Sequence, residues 1–129
     1  MKIEHVAFQV SDPAAQADWY VEHLGLRVKR STDGPAHARF LADHGDAVMV
    51  EVYRNPRVGV PDYRAIDPMH LHLAFRVEDV AAVRERLLAV GATPEGEVWV
   101  SEAGDHLAML RDPWGLTIQL VRRRDPMIP

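Results

Sequence analysis

The sequence predicts an α+β fold in which two tandem βαβββ modules form a curved, barrel-like mixed sheet with the helices outside. The first observation is a repeat: "EHVAFQVSDPAA" at residues 4–15 returns as "LHLAFRVEDVAA" at residues 71–82. The second is that each copy continues as a helical pattern followed by three short strand-like segments. Two long copies are typical of a duplicated domain and not of a solenoid, which stacks many short repeats.

The first module begins with an alternating strand over residues 2–10. Asp12 then provides a helix N-cap and Pro13 suits the first helical turn. Gly25 follows the last apolar residue of the helical stripe and is placed to end the helix. The three strands that complete the module are predicted near residues 26–31, 36–42 and 47–54.

The second module repeats these signals. Asp79 is the N-cap, the apolar stripe of the helix extends to Val90, and Gly91 is the stop signal. Its three later strands are predicted near residues 95–101, 106–111 and 115–122. We therefore expect a single domain over residues 1–129, with module one at about 1–54, a linker at 55–68 and module two at about 69–124.

Composition excludes several classes of function. The chain has 129 residues, a formal net charge of −4 and no cysteine. Disulfides and thiolate metal sites are therefore excluded, and the charge gives no reason to expect a nucleic-acid or membrane-surface partner. No apolar run approaches the roughly 20 residues that a membrane-spanning helix needs. We expect a cytoplasmic protein that acts on a small molecule.

Four polar residues occupy matching places in the two modules, each between apolar neighbours on a predicted strand: His5, Glu51, His72 and Gln119. Strand alternation puts each of them on the face opposite to its apolar neighbours. Two imidazoles with oxygen donors suit a borderline divalent metal such as Zn, Ni, Co, Mn or Fe(II). A carboxylate beside a cation stays ionised, so Glu51 is both a candidate ligand and a candidate base.

Longer stretches carry a family resemblance. The first helix region, the middle segment "MHLHLAFRVEDVAAVRERLLAVGA" and the late "RDPWGLTIQLV" resemble the vicinal oxygen chelate superfamily, with nearly the whole chain covered. That superfamily includes glyoxalase I, methylmalonyl-CoA epimerase, fosfomycin-resistance enzymes, extradiol dioxygenases and bleomycin-binding proteins. Small bacterial glyoxalase I is the most similar in appearance. The resemblance implies that the four polar residues are metal ligands, and it implies a homodimer.

One position departs from the glyoxalase I pattern. Gln119 stands where glyoxalase I usually has a glutamate, and an amide can coordinate a metal but cannot act as a base. Glu51 is then the candidate catalytic base. The resemblance favours an isomerase or lyase that chelates adjacent substrate oxygens and moves a proton next to a carbonyl. The alternatives are a drug- or metabolite-binding protein without turnover, with or without metal, and an Fe(II) ring-cleaving dioxygenase.

Overall fold

The structure, a computed structural model, describes residues 1–129 and divides into two compact units, residues 1–61 and 62–129. Each unit contains one α-helix and one four-stranded mixed sheet. The predicted α+β fold with two βαβββ modules is confirmed, with the eight strands divided between two sheets. The boundary between the units falls inside the predicted linker. That the two modules act as one domain stays a prediction.

The first unit has one helix packed on one sheet. Its elements are β1 (His5–Gln9), α1 (Pro13–Leu24), β2 (Arg27–Ser31), β3 (Arg39–Ala42) and β4 (Met49–Tyr53). The strand order is β1-β4-β3-β2, in which β1 runs parallel to β4 and the other pairs are antiparallel. Helix α1 packs against the last three strands of the unit.

The second unit repeats this topology after a short 3₁₀ helix, Tyr63–Ala65. Its elements are β5 (Leu73–Arg76), α2 (Val80–Leu88), β6 (Thr93–Val100), β7 (His106–Arg111) and β8 (Thr117–Arg122). The order is β5-β8-β7-β6, so the strands occupy the same places as in the first sheet. Again the only parallel pair joins the first strand to the last.

The helix ends follow the local signals of the sequence. Asp12 accepts a hydrogen bond from the Ala15 amide at 3.0 Å, and Asp79 caps α2 in the same way. Helix α2 ends at Leu88, two residues before the predicted Val90. The chain then closes through Gly91, whose φ of 109° lies in the left-handed region, as the predicted stop signal requires.

Apolar burial separates the two faces of each sheet. In the second unit Ile118 and Leu120 are fully buried on the side that carries α2. Gln119 lies between them on β8 and therefore faces the opposite side. In the first unit Val50 and Val52 are buried in the same way around Glu51. Neither α1 nor α2 has the length and apolar character that a membrane-spanning helix requires.

Candidate metal centre

The first unit brings two of the predicted ligands together. His5 is the first residue of β1 and Glu51 lies at the centre of β4, its parallel neighbour. The His5 Nε2 and Glu51 Oε2 atoms are 3.4 Å apart. Both side chains are partly shielded, with 35% of the His5 side chain and 16% of the Glu51 side chain exposed. The carboxylate is therefore the more enclosed member of the pair.

This separation fits two ligands of one metal ion. Nitrogen and carboxylate ligands lie about 2.1 Å from a tetrahedral zinc, which places two ligand atoms about 3.4 Å from each other. The structure has the same distance between His5 Nε2 and Glu51 Oε2, 3.4 Å. One imidazole nitrogen with one carboxylate oxygen also suits the borderline divalent ions. The donor pair thus fits a metal in both chemistry and spacing.

Glu4 orients the His5 ring. Its carboxylate accepts a hydrogen bond from His5 Nδ1, which leaves a lone pair on Nε2, the atom that faces Glu51. This hydrogen bond raises the pKa of His5 above its ordinary value of 6.5, burial opposes the rise, and the charges of Glu4 and Glu51 add to it. The Phe40 ring and the imidazole pack in a T-shaped arrangement, with ring centres 5.6 Å apart. A neutral ring that keeps its hydrogen on Nδ1 offers Nε2 as a metal ligand.

The second unit orients His72 with a main-chain atom. His72 Nδ1 donates to the carbonyl oxygen of Pro68 at 2.8 Å, so Nε2 again carries the lone pair. The prediction that His72 lies on a strand is wrong, because this residue immediately precedes β5. A turn at residues 68–70 delays the strand, and Asp67 stabilises it by accepting from the amides of Met69 and His70.

Gln119 completes the second pair. It is 8% exposed and lies beside Ala74 of β5, as Glu51 lies beside Ala7 of β1. Its Nε2 donates to the Met109 sulfur at 4.0 Å, which leaves the amide oxygen as the atom of Gln119 able to ligate a metal. Met109 pairs with Gln119 as Phe40 pairs with Glu51. The two pairs therefore occupy matching registers, as the repeat predicts.

Each unit by itself supplies two of the four predicted donors. In neither unit do three or more His, Cys, Asp or Glu side chains form a group that could hold a metal ion. The roles of His5, Glu51, His72 and Gln119 as ligands, and of Glu51 as base, stay predictions. Sequence reasoning missed the two orienting acceptors. Glu4 could have been found as a carboxylate next to His5, whereas the Pro68 carbonyl depends on the local turn.

The chain is similar in sequence to known proteins. Residues 2–120 match the sequence profile of the Glyoxalase/Bleomycin resistance protein/Dioxygenase superfamily. The lactoylglutathione lyase of Escherichia coli O157:H7 is 25% identical over 131 residues, which span 97% of this chain and 95% of that enzyme.

Solved structures show the same fold. A glyoxalase I mutant from Zea mays has a TM-score of 0.76 and 25% identity, and the match covers 96% of this chain and 46% of that one. TnmS3, an antibiotic binding protein from Streptomyces sp. CB03234, has a TM-score of 0.71 and 23% identity, with 95% of this chain and 96% of that one covered. Proteins that differ in function thus share this architecture.

Proposed function

Because the chain belongs to the Glyoxalase/Bleomycin resistance protein/Dioxygenase superfamily, we propose that it is a metal-dependent, glyoxalase-like isomerase or lyase. Its substrate is a small molecule with two adjacent oxygen atoms next to an acidic C–H bond. The similarity to lactoylglutathione lyases over nearly the whole chain supports this class. Hemithioacetals of 2-oxoaldehydes are accordingly the first substrates to consider.

The four donors take distinct roles in this proposal. His5 and His72 present Nε2, Gln119 presents its amide oxygen, and Glu51 presents a carboxylate oxygen to one divalent ion. The donors are contributed by one chain or by two copies. When bound, the ion supplies Lewis-acid polarisation of a substrate carbonyl. Glu51 accepts the proton of the carbon next to this carbonyl and returns it to the carbonyl carbon. It takes this role because it is the only carboxylate among the four.

One observation carries the proposal. In each half of the repeat an oxygen atom accepts a hydrogen bond from the Nδ1 atom of the histidine. The oxygen belongs to Glu4 in the first half and to Pro68 in the second. A histidine that only packs in a core does not need this arrangement in two places, whereas a metal ligand needs Nε2 unprotonated. The 3.4 Å approach of Glu51 to His5 supports the same role.

Paired substitutions at positions 51 and 119 test the chemistry. Glu51→Gln should lower kcat for a hemithioacetal by about 10²- to 10⁴-fold, because the proton acceptor is lost. Gln119→Glu is the matched variant, since it adds a carboxylate at the equivalent position of the other module, and it should preserve or raise kcat. Stopped-flow absorbance with metal-loaded protein measures both. Equal rates for Glu51→Gln and the wild type would contradict the role of Glu51 as the base.

A second candidate function is small-molecule binding without turnover. Gln119 favours it, because this side chain is nearly buried, donates to a methionine sulfur and offers no second base. Under this alternative, calorimetry detects a ligand that binds at micromolar concentration while no candidate substrate is consumed. If the protein turns over a hemithioacetal or a 2-oxo acid and Glu51→Gln abolishes this turnover, the protein is an enzyme.

We also propose that the protein is a homodimer, as the family resemblance implies. Exposed apolar residues close in sequence to the candidate ligands support it: Ile3 and Val6 lie on either side of His5, and Met69 lies three residues before His72. Light scattering after size exclusion should give about twice the 14.5 kDa chain mass. Val6→Asp should shift the mass toward that of the monomer, because a charge in an apolar interface is costly. A monomeric wild type at micromolar concentration would contradict the dimer.

A further inference from the structure

Arg111 is a buried cation at the end of β7 with an unusual number of partners. Only 7% of this residue is exposed. Its guanidinium donates to the Glu95 carboxylate, to the carbonyl oxygens of Tyr63 (2.7 Å), Ile66 (3.0 Å) and Gly115 (3.1 Å), and to Thr117 Oγ1 (3.3 Å). Glu95 compensates the charge, and the two terminal nitrogens of the guanidinium donate to three main-chain carbonyls and one hydroxyl. Two of these carbonyls belong to the segment that precedes β5.

This segment, residues 63–68, is here called the strap. Besides Arg111, it is held through Arg64, whose guanidinium donates to the Pro113 carbonyl at 2.5 Å. The strap passes so close to Gly115 that a Cβ there would lie 3.1 Å from the Arg64 main-chain nitrogen. Gly115 also has a φ of 96°, which disfavours any other residue. The strap is therefore fixed against the turn between β7 and β8.

The last residue of the strap holds His72. The Pro68 carbonyl accepts the Nδ1 hydrogen of His72 at 2.8 Å. In the first module Glu4 does this for His5. The repeat places Leu71 at the position of Glu4, and leucine has no acceptor. His72 consequently depends on the strap for its orientation.

Arg111 and His72 also lie in one row across the sheet. Arg111 pairs with Thr117 in the antiparallel register, and Leu73 pairs with Ile118 in the parallel register, so His72 is level with Thr117. Ala42 pairs with Met49 at the equivalent place in the first module, where there is no strap to hold. The arginine is thus present in the module that contains the strap.

We propose that Arg111 is a positioning residue for His72. It fixes the strap so that the Pro68 carbonyl holds the Nδ1 hydrogen and His72 offers Nε2 as a donor. The metal-binding part of this inference rests on the proposed function, whereas the tautomer of His72 does not.

The tautomer is measured on metal-free protein by ¹⁵N NMR of the His72 ring at pH 9, where imidazoles are neutral. The wild type should show the Nδ1–H tautomer, and Arg111→Met should lose this preference. Arg84→Met is the matched control, because Arg84 is also a buried arginine of the second unit but donates to the Gly96 carbonyl and to Glu85. A purely structural role would lower the melting temperature of both variants and leave the His72 tautomer unchanged in both, which would overturn the inference.

Cobalt binding tests the consequence for the metal. Titration with Co²⁺, followed by its absorption spectrum, should show a 10- to 100-fold weaker Kd for Arg111→Met, the range that loss of an outer hydrogen bond produces. Adding Leu71→Glu to Arg111→Met should recover part of this loss, because it supplies beside His72 the carboxylate that Glu4 supplies beside His5. Equal Co²⁺ affinity in the wild type and Arg111→Met overturns the positioning role. Failure of the wild type to bind Co²⁺ overturns the proposed function instead, and the ¹⁵N result still decides the tautomer.

Discussion

At the scale of single residues, His5 shows how its neighbours set its chemistry. Its hydrogen bond to Glu4 raises its pKa first of all, and the charges of Glu4 and Glu51 act in the same direction against the effect of burial. The folded-state pKa lies above the unfolded value, so protonated His5 stabilises the metal-free fold. That stability is complete below about pH 6.5 and is lost as the pH rises through the raised pKa. Metal binding has the opposite dependence, because it needs the neutral ring.

Glu4→Gln should lower the pKa of His5, because it removes both the hydrogen bond to a carboxylate and its charge. The acid limb of metal binding should move to lower pH with it. NMR titration of the His5 ring in metal-free protein measures the first effect, and Zn²⁺ titrations across pH measure the second. Glu22→Gln is the control, since Glu22 lies near His23 and not near His5. An unchanged pKa of His5 in Glu4→Gln would contradict the assigned cause.

At the scale of elements, the two helices begin with the same device. Asp12 and Asp79 each accept a hydrogen bond from the amide three residues ahead, at 3.0 Å. A cap of this kind depends only on local sequence, which is why both helix starts could be predicted. The start of β5 is harder to predict from the sequence than the helix starts. The turn held by Asp67 displaces His72 from the strand, and the alternating pattern of the sequence does not record that turn.

Asp12→Ala and Asp79→Ala should each lower the free energy of unfolding by about 1 kcal/mol, because each leaves one helical amide without its side-chain acceptor. Urea denaturation followed by circular dichroism measures both. Asp18→Ala on the exposed face of α1 should change stability by less than about 0.5 kcal/mol. A loss as large for Asp18→Ala as for Asp12→Ala would show that charge, and not capping, is responsible.

At the scale of the whole chain, duplication explains most of what the sequence predicts. The repeat predicts the same order of elements in both modules and the matching places of Glu51 and Gln119. The positions at which the two copies differ are harder to interpret from the sequence. Arg111 received no role from the sequence, because its partners at Tyr63 and Ile66 are main-chain atoms more than forty residues away. A contact with a distant carbonyl leaves no residue pattern to detect.

The same duplication gives the central claim, which is that two histidines from the two modules bind one metal. The most direct test is metal content by mass spectrometry, on protein purified without a histidine tag. The account predicts close to one divalent ion per chain, lost in the His5→Ala, His72→Ala double variant. The His44→Ala, His106→Ala double variant removes two exposed histidines and, as the control, should keep the metal. Wild-type protein that carries no metal, and takes up none on incubation with Zn²⁺, Ni²⁺, Mn²⁺ or Fe²⁺, would contradict it.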